Sequence, residues 1–259
     1  MDERRIVPAS YRNVRIDLAT FSLELTTVPH ETNVSLHESE YKITIPLPDG
    51  TDQEFRIVET PVMAPELAAK FPSIKTYAGQ GVDDPTATLR FDVTPQGFHG
   101  SVISERGAYY IDPYSPKDLR HYISYWKTEY EKNNVPVFQE LPPIRRDASV
   151  DSKFDDVIRR KEATKEVLRK RDIVAQKTSS GTELRTYRLA LAVTGEYTTF
   201  HGGTVAGAVA AMNTTVNRIN GVYEREVAIR MVLVADNDLL VYTNAAEDPY
   251  TNDDGGTLL

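Results

Sequence analysis

The chain has 259 residues, 40% of them hydrophobic, which is enough length and apolar material for two domains with sizeable cores. Its formal net charge of −8 works against nucleic acid or an anionic membrane as a partner, because phosphate binding needs concentrated lysine and arginine. No run reaches the roughly 20 apolar residues of a membrane span, and the absence of cysteine removes disulfides, thiolate metal sites and a cysteine nucleophile.

The opening residues, MDERRIVPAS, are charged where an export signal carries its apolar segment, so no such signal is visible. The missing cysteines are neutral on compartment. Tyr41 to Pro48 sets Ile43, Ile45 and Leu47 on one face, and the turn Pro48-Asp49-Gly50-Thr51 leads into a second strand over 54–58. That pattern predicts a β-hairpin. Residues 64–72, APELAAKFP, suit a short helix between Pro61 and Pro72. A second group of strands follows as TATLRFDV (86–93), FHGSVIS (98–104) and AYYIDP (108–113), separated by TPQG and ERG. This is the pattern of an antiparallel meander, to which HYISYWK (121–127) adds one more strand. The helix at 64–72 is expected to divide two separate sheets.

From about Asp147 to Gly181 the chain turns charged and nearly free of aromatics. Phe154, Val157 and Ile158 fall at helical spacing, and Glu166 stands four residues before Lys170. A solvated helix and linker is the expectation. Arg169-Lys170-Arg171 belongs to that charged surface on the plain reading; on the sharper one it is a processing site beside a polar tail.

The third part begins near Glu183. RTYRLALAVT (185–194) alternates Tyr187, Leu189, Leu191 and Val193, predicting a strand packed on one side. Val205, Val209, Met212, Val216, Ile219 and Tyr223 recur at steps of three and four, predicting a long helix. Thr204 is its expected cap, and Gly221 sits awkwardly near its end. Ala206, Gly207 and Ala210 permit a close neighbour on another flank. EVAIRMVLVAD (226–236) then reads as a strand rich in β-branched residues, completing a βαβ unit.

The common catalytic motifs GxGxxG, GxxxxGK[ST] and GxSxG are absent. No two of His30, His37, His99, His121 and His201 stand at the i, i+4 spacing that binds zinc from one helix face. His30 and His37 read as surface residues, His99 as a partly buried strand residue, and His201 as a support for the strand-to-helix turn. Asp83 and Asp84 lie in a Gly- and Pro-bounded loop, where they are turn formers or, alternatively, one reaches a cation in another domain. DNDLL (236–240) and TNDDGG (251–256) lack the twelve-residue calcium-loop spacing.

The stretch MNTTVNRINGVYEREVAIRMVLVADNDLL resembles the first long helix and following strand of reprolysin-like zinc metalloproteases, within the metzincins. Asn217, Asn220 and Tyr223 precede Ile229, Arg230, Val232, Leu233 and Val234 in that family's manner. TYRLALAVTGEYTTFHGG resembles the first strand of bacterial members. Upstream, PVMAPELAAKFPSIKTYAGQGVDDPTATLRFDVTPQGFHGSVI and YYIDPY resemble the pro-region of secreted bacterial enzymes of this kind. The resemblance implies an α+β chain: a β-rich antiparallel pro-region (1–146), a charged helical linker (147–182) and an incomplete α/β, metzincin-like catalytic domain (183–259).

It further implies a zinc cofactor and protein or peptide substrates for the full-length enzyme, and secretion. The family's HExxHxxGxxH helix lies beyond the first helix–strand pair, and the chain stops at Leu259 before any such motif. No zinc is therefore expected on this chain, no catalytic or metal residue is carried over, and the chain is expected to be proteolytically inactive. Its expected partner is the remainder of its own catalytic domain, and its N-terminus is expected to be incomplete. Where many animal relatives place a calcium-binding glutamate, this chain has Arg188, so no calcium site is expected. Several metzincin pro-regions silence zinc with cysteine; without one, Asp83 or Asp84 is the candidate latency ligand. The alternatives are a non-catalytic β-module that binds protein or glycan, and a pro-region that inhibits a related protease in trans. In all cases the unfinished βαβ unit is expected to expose a sheet edge and an apolar helix face, and to be less stable than the first part.

Overall fold

A computed structural model of the chain describes residues 4–116, 118–133 and 183–250. The chain divides into two compact units: Met1–Val135 with Ser180–Leu259, and Pro136–Ser179, which lies outside the described residues. The expected charged helix, the boundary at 146/147 and Arg169, Lys170 and Arg171 also lie outside them.

The N-terminal part is one antiparallel sheet of eight strands. They are β1 (Arg12–Arg15), β2 (Lys42–Pro46), β3 (Asp52–Glu59), β4 (Lys75–Gly81), β5 (Thr88–Thr94), β6 (Gly97–Ser104), β7 (Gly107–Pro113) and β8 (His121–Trp126). Their order is β1-β8-β7-β6-β5-β4-β3-β2, a meander whose last strand pairs with the first. Period-two alternation builds two unlike faces. On β5, Leu89, Phe91 and Val93 join a core with Phe55, Ile57, Phe98, Val102, Tyr109, Ile111 and Tyr122, while Arg90, Asp92 and Thr94 alternate with them. A helix, α1 (Leu18–Glu24), closes that core: Asp17 caps it, and the Phe21 ring lies 5.8 Å from Phe98 and 6.2 Å from Phe91.

The expected hairpins are present. Leu47 donates to the Thr51 carbonyl at 2.8 Å across the first turn, and Asp49 accepts from the Thr51 backbone and hydroxyl at 3.0 and 2.6 Å. Gly97 and Gly107, at φ of 115° and 117°, open β6 and β7 in a conformation that side-chain-bearing residues resist. The expected division into two sheets is overturned, because β4 joins the two groups of strands. Its residues are buried on both faces, so it carries none of the apolar–polar alternation that marks a half-buried strand. The short helix is α2 (Pro65–Lys70), with proline in its first turn. A further short helix, α3 (Lys127–Asn133), follows β8.

Beyond residue 183 come β9 (Arg185–Leu189), α4 (Gly195–Phe200), α5 (Val205–Val227) and β10 (Ile229–Leu233). β9 and β10 are parallel with α5 between them, as a βαβ unit requires. The first strand is shorter than expected, since Thr194 turns to cap α4 by accepting from Tyr197 N. Its predicted packed face also fails at Tyr187, which is 52% exposed. Thr204 caps α5 as expected, accepting from Gly207 N at 3.1 Å. The helix runs on through the predicted start of the strand to Val227, and Ala228 at φ 53° ends it in a left-handed turn.

A second core joins the two parts of the sequence. Val62, Met63, Leu67 and Ile74 pack with Val193, Ala208, Val209, Met212, Val216 and Leu233. Each large side chain buried here contributes roughly 1.5–3 kcal/mol of transfer free energy. The predicted α5 stripe enters this core as far as Val216, whereas Tyr223 is 44% exposed.

Candidate functional site

The residues of α5 that face the sheet form a polar seam. Arg90 and Asp92 belong to the face of β5 that alternates away from the aromatic core, because that core claims Leu89, Phe91 and Val93. Thr214 donates to Asp92 Oδ2 at 2.8 Å, and His99, opposite Asp92 in the strand register, approaches the same oxygen at 3.1 Å. Asn217 donates to the Phe91 carbonyl at 2.9 Å. Arg218 reaches Asp112 Oδ1 at 2.5 Å, and Tyr125 donates to Asp112 Oδ2 at 2.7 Å. Arg225 donates to the Ile103 carbonyl at 3.2 Å.

A ladder of four charges ends the seam. Arg230 Nη1 donates to both carboxylate oxygens of Glu31 at 2.8 and 2.7 Å, Arg230 Nε donates to Glu224 at 2.6 Å, and Glu224 pairs with Arg90. The four come from a loop, β10, α5 and β5, so the ladder crosses between the two parts of the sequence. Burial works against the Arg230 charge, but Glu224 and Glu31 outweigh it and hold the guanidinium above its ordinary value. Charge-assisted hydrogen bonds of this kind are stronger than those between neutral groups.

The other end is held by backbone contacts. Gln96, in the turn between β5 and β6, donates to the carbonyls of His201 and Gly207 at 3.1 and 3.0 Å. Arg5 donates to the Phe200 carbonyl at 3.0 Å and stacks 3.8 Å above its ring. His201 lies at the corner between α4 and α5 and not at the expected strand-to-helix turn, and its carbonyl takes the Gln96 bond. Burial first, then the Arg5 charge and His99, hold its imidazole below the ordinary value. On the opposite flank a strap, Val62–Ala64, adds to the edge of β10. Leu233 donates to the Val62 carbonyl and Ala64 donates to the Leu233 carbonyl, both at 2.8 Å. The edge of β10 is therefore covered at Leu233 and the predicted helix face as far as Val216, whereas Tyr223 stays exposed and the described pairing of β9 is with β10 alone.

Asp83 and Asp84 lie in the loop beside the Arg225 end of the seam, where the Thr86 carbonyl accepts from Arg225 at 3.4 Å. Asp84 accepts from the Thr86 hydroxyl and backbone at 2.6 and 2.9 Å, which lowers its pKa and makes it a turn former; Asp83 is exposed in the same loop. His30 bonds Thr32, and His121 pairs with Asp118. Among the described residues, no group of three or more His, Asp or Glu side chains is arranged to hold a metal ion. No described helix is long and apolar enough to cross a membrane.

Sequence patterning passed over Glu31, Arg90, Asp92, Gln96, Asp112, Arg218 and Glu224. The available signal was Asn213, Asn217 and Asn220 at helical spacing in an Ala- and Val-rich helix, since buried amides need partners. The chain matches no curated protein and no solved structure. Residues 183–259, which contain β9, α4, α5 and β10, match the family model described as metallo-peptidase family M12B, reprolysin-like.

Proposed function

We propose that the chain is part of the precursor of a secreted, zinc-dependent endopeptidase, with residues 1–146 as its pro-region and residues from 183 onward as the beginning of its peptidase domain. The observation that carries this reading is the reprolysin-like match over the strand–helix–strand unit that the N-terminal sheet grips. The pro-region assists folding by supplying Val62, Met63, Leu67 and Ile74 to a core the later segment shares. Protein or peptide substrates follow from the family.

The 259 residues contain no HExxH, so no hydrolytic step is assigned to them, and the chain is expected to be inactive alone. The test is the coding sequence downstream of the codon for Leu259. An open frame reaching HExxHxxGxxH within about a hundred codons, the distance expected for a zincin domain, supports the precursor. A stop codon at that point, with the protein found at this length, overturns it.

A further inference from the structure

The seam has the form of a surface cut to fit one helix. The residues of α5 that meet the sheet recur at 214, 217, 218, 221, 224 and 225, the three-and-four spacing of a single helix face. Five of them have partners on the sheet: Thr214 with Asp92, Asn217 with the Phe91 carbonyl, Arg218 with Asp112, Glu224 with Arg90 and Arg225 with the Ile103 carbonyl. The sixth, Gly221, gives the fit its steric element. A Cβ at 221 would stand 3.0 Å from Arg90 Cγ. Arg90 is 6% exposed and committed to Glu224, so it has little room to move aside. The awkward glycine near the helix end is explained by this approach: it weakens the helix by about 1 kcal/mol relative to alanine but admits the arginine stem. The strap on β10 extends the same surface through backbone hydrogen bonds and two buried side chains, Val62 and Met63.

We propose that this polar face and the strap form a recognition surface selective for one partner, a helix–strand unit bearing Asn217, Arg218, Gly221, Glu224 and Arg230. The surface retains that unit without a covalent connection through residues 134–182. Cutting the chain there leaves a two-piece complex, and release requires the seam itself to open. The contacts support this, because the joint contains a shared apolar core, charge-assisted pairs and strand addition together.

The test places a site-specific protease recognition sequence within residues 160–170 of the full chain. After cleavage, judged complete on a denaturing gel, the mass in solution is measured by size exclusion with light scattering. One peak with the mass of the uncut chain is expected; two separate pieces overturn the proposal. Gly221→Leu, which raises helix propensity, is expected to let the cut pieces separate, and a Gly221→Leu complex as durable as the parent overturns the steric selectivity.

Should Gly221→Leu prevent folding of the uncut chain, Glu31→Gln at the rim of the ladder replaces it. Glu31→Gln is expected to lower the urea concentration at which the cut pieces separate. Lys42→Gln, which loses only a pair to Glu54 within the sheet, is expected to leave it unchanged. Equal shifts for the two variants overturn the role of the ladder. Retention is separable from the precursor reading: pieces that stay together, with a stop codon after Leu259, leave the surface standing and remove the peptidase.

Discussion

At the scale of single residues the seam turns on buried charge. Asp112 is almost wholly inaccessible, and burial alone would push its carboxyl up. Arg218, His99 and the hydrogen bonds from Tyr125 and Arg218 outweigh that and hold it below the usual carboxylate range. A carboxyl held low in the folded state contributes stability that is complete above the unfolded value of about 4 and is lost as pH falls through the lower folded value. Asp112→Asn is therefore expected to flatten the fall in the urea midpoint below about pH 4. At pH 7 it is expected to cost about 3 kcal/mol by leaving Arg218 without its charge partner. Parent and variant with the same pH slope would assign that acid sensitivity to another carboxylate. None of this was legible from Asp112 itself: YYIDP reads as a strand end, and only pairing of β7 beside β8 sets Tyr125 opposite Tyr110 and beside Asp112.

Among the elements, α2 and α5 show what local patterning conveys. Both were readable, α2 from its proline boundaries and α5 from its apolar stripe and threonine cap, because those signals act within one or two turns. Their meeting was not readable. Leu67, fully buried on α2, packs in the same core as Met212 and Val216 of α5, some 145 residues further along the chain. Leu67→Ala is expected to destabilise the chain by about 2–5 kcal/mol. It is also expected to speed amide hydrogen exchange in α5 and β10 while leaving β6 and β7 unchanged. Faster exchange confined to α2 would show that the shared core does not couple these elements. The same limit hid β4, whose burial on both faces erased the alternation by which strands are found.

At the scale of the whole molecule the two parts of the sequence share an interior. The described part of residues 183–250 draws much of its interior from the strap, α2 and Ile74. Its stability is therefore coupled to that of the N-terminal part. Residues 183–259 produced alone are expected to show no cooperative urea transition, since without Val62, Met63, Leu67 and Ile74 the second core lacks one wall. A cooperative transition for that piece would show that the wall is dispensable. The exposed side of the unit is β9, with Leu184 46% and Tyr187 52% accessible. Association through that edge is expected to rise with protein concentration, as read by light scattering.

The sequence by itself determined the hairpins, the meander, the long capped helix and the β–helix–β order, because each is encoded by period, turn residues and caps within a few positions. It also carried the reprolysin-like signature in the residues after 183. Only the tertiary structure decided that two groups of strands are one sheet and that α5 packs on both that sheet and the second core. The charge ladder Glu31–Arg230–Glu224–Arg90 likewise belongs to the fold, since its members are separated by up to 199 residues. The physical reason is the same throughout. A buried charge or a doubly buried strand is stable only when its partner arrives from elsewhere in the chain, and local periodicity carries no information about where that partner lies.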